Sequence, residues 1–154
     1  MIGELTPSSF YATVYNSTEK LDCGNPFEKQ GFHVPWNQLV LLGTDIYFTL
    51  KNSILTAVTI TLGSDCAPES IRLYSNGTML SEHHGETGKR ITDKTITLTT
   101  DCDGEEFILK VDSSFTDVNI ESIRLFGMEK KLALFPTPKD MRLTGRVVPL
   151  TEVD

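Results

Sequence analysis

Hydrophobic and polar residues alternate along the middle of the chain in short runs, which is the pattern of strands with one buried and one solvent-facing side. Two runs nearly repeat each other, ESIRLY at residues 69–74 and ESIRLF at residues 121–126. The same alternation recurs in five further runs, at residues 10–15, 46–50, 55–62, 95–99 and 106–111. Turn-forming residues separate these runs, and no segment keeps a helical period. The pattern predicts an all-β fold, an antiparallel β-sandwich of the jelly-roll type.

The first forty residues show little periodicity and many chain breakers, among them the run Gly24, Asn25, Pro26 and the single Pro35. We expect one short strand at residues 10–15, followed by a long loop. Long loops of compact domains often carry binding residues.

The character of the sequence changes after Gly127. A Pro-Thr-Pro run at residues 136–138 fixes an extended backbone and removes two hydrogen-bond donors, as an interdomain linker requires. We therefore expect a sandwich domain at residues 1–128, with a linker and the opening strand of a truncated following domain at residues 129–154. The alternative is that the last segment packs back onto the sandwich as an edge strand.

Composition places the chain among ordinary globular proteins, with 154 residues of which 39% are hydrophobic and 23% charged. The net charge of −7 and the lack of a basic cluster argue against a nucleic-acid partner. No apolar run is long enough for membrane insertion. The first residues lack a signal-peptide pattern, so we expect an extracellular, periplasmic or cell-surface protein whose signal peptide is absent, with a cytoplasmic protein as the alternative.

Three cysteines allow at most one internal disulfide, and their spacing fits no zinc site. Cys66 and Cys102 both lie in turns that follow strands. They pair if those turns share one end of the sandwich; otherwise all three thiols are free.

Two loops offer the chemistry of a sugar-binding surface, which needs an exposed aromatic ring and planar polar groups that bond hydroxyls. In the first loop Trp36, the single tryptophan, stands between His33 and Asn37; the second supplies His84 and Arg90. If these loops meet, Trp36 is the platform and the other four residues are polar contacts. The alternatives are a buried Trp36 that plugs the core and a solvent-exposed loop around His83 and His84.

Acidic residues crowd the turn at 101–106, where Asp101 and Asp103 resemble part of an oxygen-ligand loop for calcium. The ordered spacing of a calcium loop is missing, so a turn made soluble by its charge is the alternative. Arg72 and Arg124 occupy matching places in the repeated strands, and we expect both on solvent-facing sides beside acidic residues. The chain has no motif of a catalytic nucleophile or a phosphate-binding loop, which indicates a non-catalytic domain.

Three segments resemble the discoidin or coagulation-factor type C family, whose bacterial relatives are galactose-binding-like carbohydrate-binding modules of glycosidases. IYFTL at residues 46–50 resembles the early aromatic-led strand, IRLYSNGT at 71–78 a strand that ends in a turn, and VNIESIRLFG at 118–127 the closing strand. The resemblance implies the fold and a module that binds glycans; it does not assign a binding triad.

The tail adds a second resemblance. LFPTPKDMRLTG at residues 134–145 is similar to the start of the small α/β domain that precedes the catalytic barrel of family 20 hexosaminidases. This order implies an accessory domain of a secreted or surface glycoside hydrolase of hexosaminidase type, with a glycan and adjacent domains of the same polypeptide as partners and calcium as a structural cofactor at most. The alternative is a structural spacer that binds no sugar and packs on its neighbour through residues 132–135.

Overall fold

A computed structural model of the protein describes residues 2–38, 42–87 and 89–130. Within these residues the chain forms ten strands: β1 Gly3–Leu5, β2 Ser9–Val14, β3 Phe32–Val34, β4 Gly43–Thr49, β5 Ser53–Leu62, β6 Ser70–Ser75, β7 Thr78–His84, β8 Thr95–Cys102, β9 Glu106–Asp112 and β10 Val118–Glu129. Two short 3-10 helices cover Pro26–Glu28 and Trp36–Gln38. The predicted linker and following strand at residues 131–154 lie outside the described residues, so the domain division stays a prediction.

The strands form two antiparallel sheets that pack face to face. One sheet has the order β1-β10-β5-β8, with β3 paired to the first residues of β10, and the other has the order β2-β4-β9-β6-β7. The predicted antiparallel β-sandwich is confirmed. Among the described residues no helix has the length and apolar character needed to cross a membrane.

The core lies between the sheets and follows from the alternation along each strand. Phe48 of β4 and Phe107 of β9 are fully buried, and their rings stack at a centroid distance of 5.2 Å. In the two repeated strands the Ile and Leu positions point into the core. Arg72 and Arg124 face outward and form ion pairs of 2.9 Å with Asp112 and Glu4, as the pattern predicts.

Three strands escape prediction because their sequences carry no periodic signal. β1 and β3 have three residues each, and β3 lies inside the predicted loop. β7 is an edge strand without a fully buried residue, held by its backbone pairing with β6. The alternative of a solvent-exposed loop around His83 and His84 is wrong in its secondary structure, because both residues end this strand, although His84 is exposed.

The three cysteines are free, so the alternative of a bridge between Cys66 and Cys102 is wrong. Cys102 pairs with Leu55 near the start of β5, whereas Cys66 follows the end of β5 at Leu62. The strand between these points spans roughly 20 Å at about 3.3 Å per residue, far beyond the ~7 Å between Cα atoms that a disulfide tolerates. Burial raises the pKa of the Cys66 thiol.

The connections that follow β3, β5, β7 and β9 gather at one end of the sandwich, which we call the site end. Strand register puts them there: β10 begins at Val118 opposite Val34, and Ser70 pairs with both His84 and Asp112. The two loops that the sequence singled out therefore do meet at one end.

Candidate functional site

Trp36 is held at the surface of the site end. In β3 the alternation buries Phe32 and Val34 and turns His33 outward. Pro35 follows, and Trp36 opens the second 3-10 helix with 47% of its surface exposed. The alternative of a core-plugging Trp36 is therefore wrong, and the indole is accessible to a ligand.

Asp117, in the β9–β10 loop of residues 113–117, forms two hydrogen bonds with the segment that carries Trp36. Its Oδ1 accepts a hydrogen bond from the backbone N–H of Trp36 at 2.8 Å, and its Oδ2 lies 2.8 Å from Nε2 of His33. The hydrogen bond with His33, and then the one from the Trp36 backbone, lower the pKa of the Asp117 carboxyl. The charged carboxylate thus fixes His33 and Trp36 relative to each other.

Ser114 of the same loop forms a hydrogen bond with the indole itself. The Nε1–H of Trp36 donates to the Ser114 carbonyl at 2.8 Å, and the Ser114 backbone N–H donates to Oε1 of Glu69 at 2.7 Å. Glu69 also bonds through its backbone, donating to the Asp112 carbonyl and accepting from the Gly85 N–H. Glu69 therefore ties together three of the connections at the site end.

Among the described residues Phe115, which follows Ser114, is the most exposed large hydrophobic side chain, with 70% of its surface accessible. The Cζ of Arg90 lies 5.5 Å from the centroid of its ring, within the range of a cation–π interaction. The site end thus carries two exposed aromatic side chains, Trp36 and Phe115, and a guanidinium lies over the second of these rings.

The remaining predicted residues also lie at the site end. Asn37 is exposed and follows Trp36 in the 3-10 helix. The Nδ1–H of His84 donates to the Gly85 carbonyl at 2.8 Å. His84 and Arg90 line a cavity of about 460 Å³ with His83, which pairs with Asp93 at 3.0 Å.

The arrangement is suited to binding a polyhydroxylated ring. An aromatic side chain presents an apolar surface to the C–H groups of a sugar, and imidazole, amide and guanidinium groups bond its hydroxyls in fixed geometry. A small number of polar groups that converge beside an apolar surface orient the ligand and give the site its specificity. None of these groups is a nucleophile activated by a general base.

Sequence reasoning missed Ser114, Phe115 and Asp117. The signal was present but weak: Phe115 is the only large apolar side chain in the polar, turn-rich segment at residues 112–117. A lone aromatic residue among turn residues at a strand end indicates an exposed ring, because the turn places few residues in the core.

The predicted calcium ligands lie elsewhere. Asp101 is exposed near the end of β8, and Asp103 lies 2.8 Å from the Nζ of Lys130. Across residues 2–38, 42–87 and 89–130, no group of three acidic, His or Cys side chains has the arrangement of a metal site. The Lys130 ammonium competes with a cation for Asp103, and calcium binding stays a prediction.

Solved structures share this fold at low sequence identity. The family 32 carbohydrate-binding module of Clostridium perfringens NanJ, solved in complex with galactose, has a TM-score of 0.58 at 17% identity, over 82% of this chain and 99% of that one. The family 32 module of Streptococcus pneumoniae EndoD has a TM-score of 0.51 at 16% identity, over 80% of this chain and 98% of that one.

A third similar structure is CpGH89 of Clostridium perfringens in complex with its substrate GlcNAc-α-1,4-galactose, with a TM-score of 0.52 at 13% identity. The match covers 82% of this chain but 15% of that one. No family model matches the sequence, and no curated protein matches it. The likeness confirms the predicted discoidin-like, galactose-binding-like fold.

Proposed function

We propose that this chain is a non-catalytic carbohydrate-binding module whose glycan site is the group of Trp36, His33, Asn37, His84 and Arg90 at the site end. The observation that carries the proposal is the accessible indole of Trp36, fixed by hydrogen bonds to Ser114 and Asp117. An exposed aromatic ring adds nothing to the core, and its fixation lowers the entropic cost of binding. The fold supports the proposal, since the NanJ module holds galactose.

We further propose that the module belongs to a secreted or surface glycoside hydrolase of the hexosaminidase type. The tail resemblance supports this assignment. The likeness to a part of CpGH89 supports its broader part, a place within a larger enzyme that acts on a glycan. In that setting a site of weak affinity is sufficient, because a surface that presents many glycans raises the overall affinity and the module keeps its enzyme near that surface.

The test is a glycan-array screen of the purified protein, with and without calcium, compared with Trp36→Ala. We expect binding to a restricted set of glycans, lost in the variant. Met79→Ala is the matched control, because Met79 is also 47% exposed but lies at the other end of β7. Silence of the folded wild type across the array, or full retention by Trp36→Ala, contradicts the proposal.

A separate observation favours a second candidate function, that of a structural spacer that packs on a neighbouring domain. A single row of apolar side chains crosses the outer face of the β2-β4-β9-β6-β7 sheet in register: Tyr11, Tyr47, Ile108, Tyr74 and Met79. Aromatic residues and Met are enriched in the centres of protein interfaces. The spacer function predicts that this row gains protection from hydrogen exchange when a following domain is present, and that no glycan binds.

A further inference from the structure

We propose that Phe115 and Arg90 form a second sugar subsite beside Trp36, so that the site takes a glycan of at least two units rather than a single sugar. This inference rests on the proposed function and names its ligand class. Trp36 serves the first unit, and the ring of Phe115 with the Arg90 guanidinium serves the neighbouring one.

Bond geometry places the two aromatic residues next to each other. The indole Nε1 lies 2.8 Å from the carbonyl oxygen of Ser114, and Phe115 is the next residue in the chain. Three covalent bonds lead from that oxygen to the Cα of Phe115, so the Cα lies at most about 7 Å from the indole nitrogen. Adjacent sugar units of one glycan are thus able to span the distance between these two residues.

The loop that carries Phe115 is fixed although its ring is exposed. Ser113 Oγ–H donates to the Thr116 carbonyl at 2.6 Å, and the Ala67 backbone N–H donates to Thr116 Oγ1 at 2.9 Å. Together with the bond from the Ser114 N–H to Glu69, these contacts hold both sides of Phe115. A ring that faces water from a rigid loop contributes little to the core and is preorganised for a ligand.

Arg90 supplies the polar half of the subsite. Its guanidinium is oriented by the Phe115 ring and forms no ion pair with a carboxylate in the described residues. Its N–H donors have the fork geometry that bonds two neighbouring oxygens at once. Arg90 also lines, together with His84, a cavity of about 460 Å³ whose other lining residues lie between His83 and Asp93, so this cavity flanks the subsite on the side of β7.

The test compares a monosaccharide with a disaccharide that contains it, using galactose against lactose and N-acetylglucosamine against its β-1,4-linked dimer. Titration calorimetry measures each affinity for the wild type and for Phe115→Ala, Arg90→Lys, Trp36→Ala and the control Met79→Ala. We expect the wild type to bind one of the disaccharides about tenfold tighter than its monosaccharide, which corresponds to ~1.4 kcal/mol.

Phe115→Ala is expected to remove that gain and to leave monosaccharide affinity within twofold, whereas Trp36→Ala removes binding of both sugars. Arg90→Lys keeps the charge but loses the fork, so it reduces the disaccharide gain several-fold. Equal loss of both affinities in Phe115→Ala, or equal affinities of the wild type for each sugar pair, overturns the second subsite while the proposed function stands. Absence of all sugar binding by the folded wild type overturns the proposed function and the subsite with it.

Discussion

Replacing Glu69 by Ala removes the side-chain link between the β5–β6 connection and the loop that carries Phe115. In the folded protein Glu69 Oε1 accepts the Ser114 backbone N–H at 2.7 Å. The backbone bonds of Glu69 to Asp112 and Gly85 survive the substitution, because they do not involve the side chain. The strands therefore keep their register, and the damage is confined to the site end.

The magnitude follows from the chemistry of that one bond. A hydrogen bond to a charged acceptor contributes about 1.5–3 kcal/mol. Glu69 is partly buried, which limits the replacement of this bond by water. We expect Glu69→Ala to lower the free energy of unfolding by about 2 kcal/mol and the Tm by roughly 6–8 °C for a domain of this size. Glu69→Gln keeps a neutral acceptor and is expected to lose less than half as much.

Urea denaturation followed by Trp36 fluorescence and by far-UV circular dichroism measures both variants. Because Ser114 also accepts the bond from the indole, glycan affinity in Glu69→Ala is expected to fall although the protein is folded at 25 °C. A loss below about 0.5 kcal/mol in Glu69→Ala, or an equal loss in Glu69→Gln, refutes the reasoning.

Three further predictions concern other groups. Asp117→Ala removes the hydrogen bond to the Trp36 backbone, so the indole emission shifts toward that of an exposed residue. Since the pKa of Asp117 is lowered, the emission of the wild type is constant above pH ~4 and changes as the pH falls through the folded-state pKa. The variant lacks this change. Burial, and then the hydrogen bond to Asp112, raise the pKa of Tyr15. The free energy of unfolding therefore falls above pH ~10 by up to ~1.4 kcal/mol per pH unit, and Tyr15→Phe flattens this slope. In Gly127→Ala the added Cβ meets the backbone oxygen of Ile54 at a β-bulge, and we expect the free energy of unfolding to fall by more than about 2 kcal/mol. A Tm within about 2 °C of the wild type, or a fall of about 1 kcal/mol or less, contradicts that contact.

Much of the sandwich was predictable because its central strands bury one face against the opposite sheet. β5 and β9 alternate buried and less buried residues along their length, and this pattern is visible in the sequence. β7 gave no such signal, since an edge strand held by backbone bonds has no need of apolar alternation. The chain breakers near Pro35 indicated a loop, yet pairing with β10 makes a strand of Phe32–Val34.

The candidate site was predictable only in part. Trp36 and His33 were singled out for their chemistry, and the structure brings them together through Asp117. Asp117 lies 81 residues from Trp36 in the sequence, so their contact depends on the register between β3 and β10. Local pattern does not encode that register, which is why Phe115 and its loop were missed.

The single tryptophan allows a direct test of the central claim, that Trp36 contacts the bound sugar. In a ¹H–¹⁵N correlation spectrum the indole N–H gives one well-separated signal, which we expect to move in a saturable manner when lactose or the N-acetylglucosamine dimer is added, together with the amides of Phe115 and Asp117. The amide of Met79 is expected to stay in place. Saturable sugar binding that leaves the indole and the β9–β10 loop unmoved would place the site elsewhere and contradict the account.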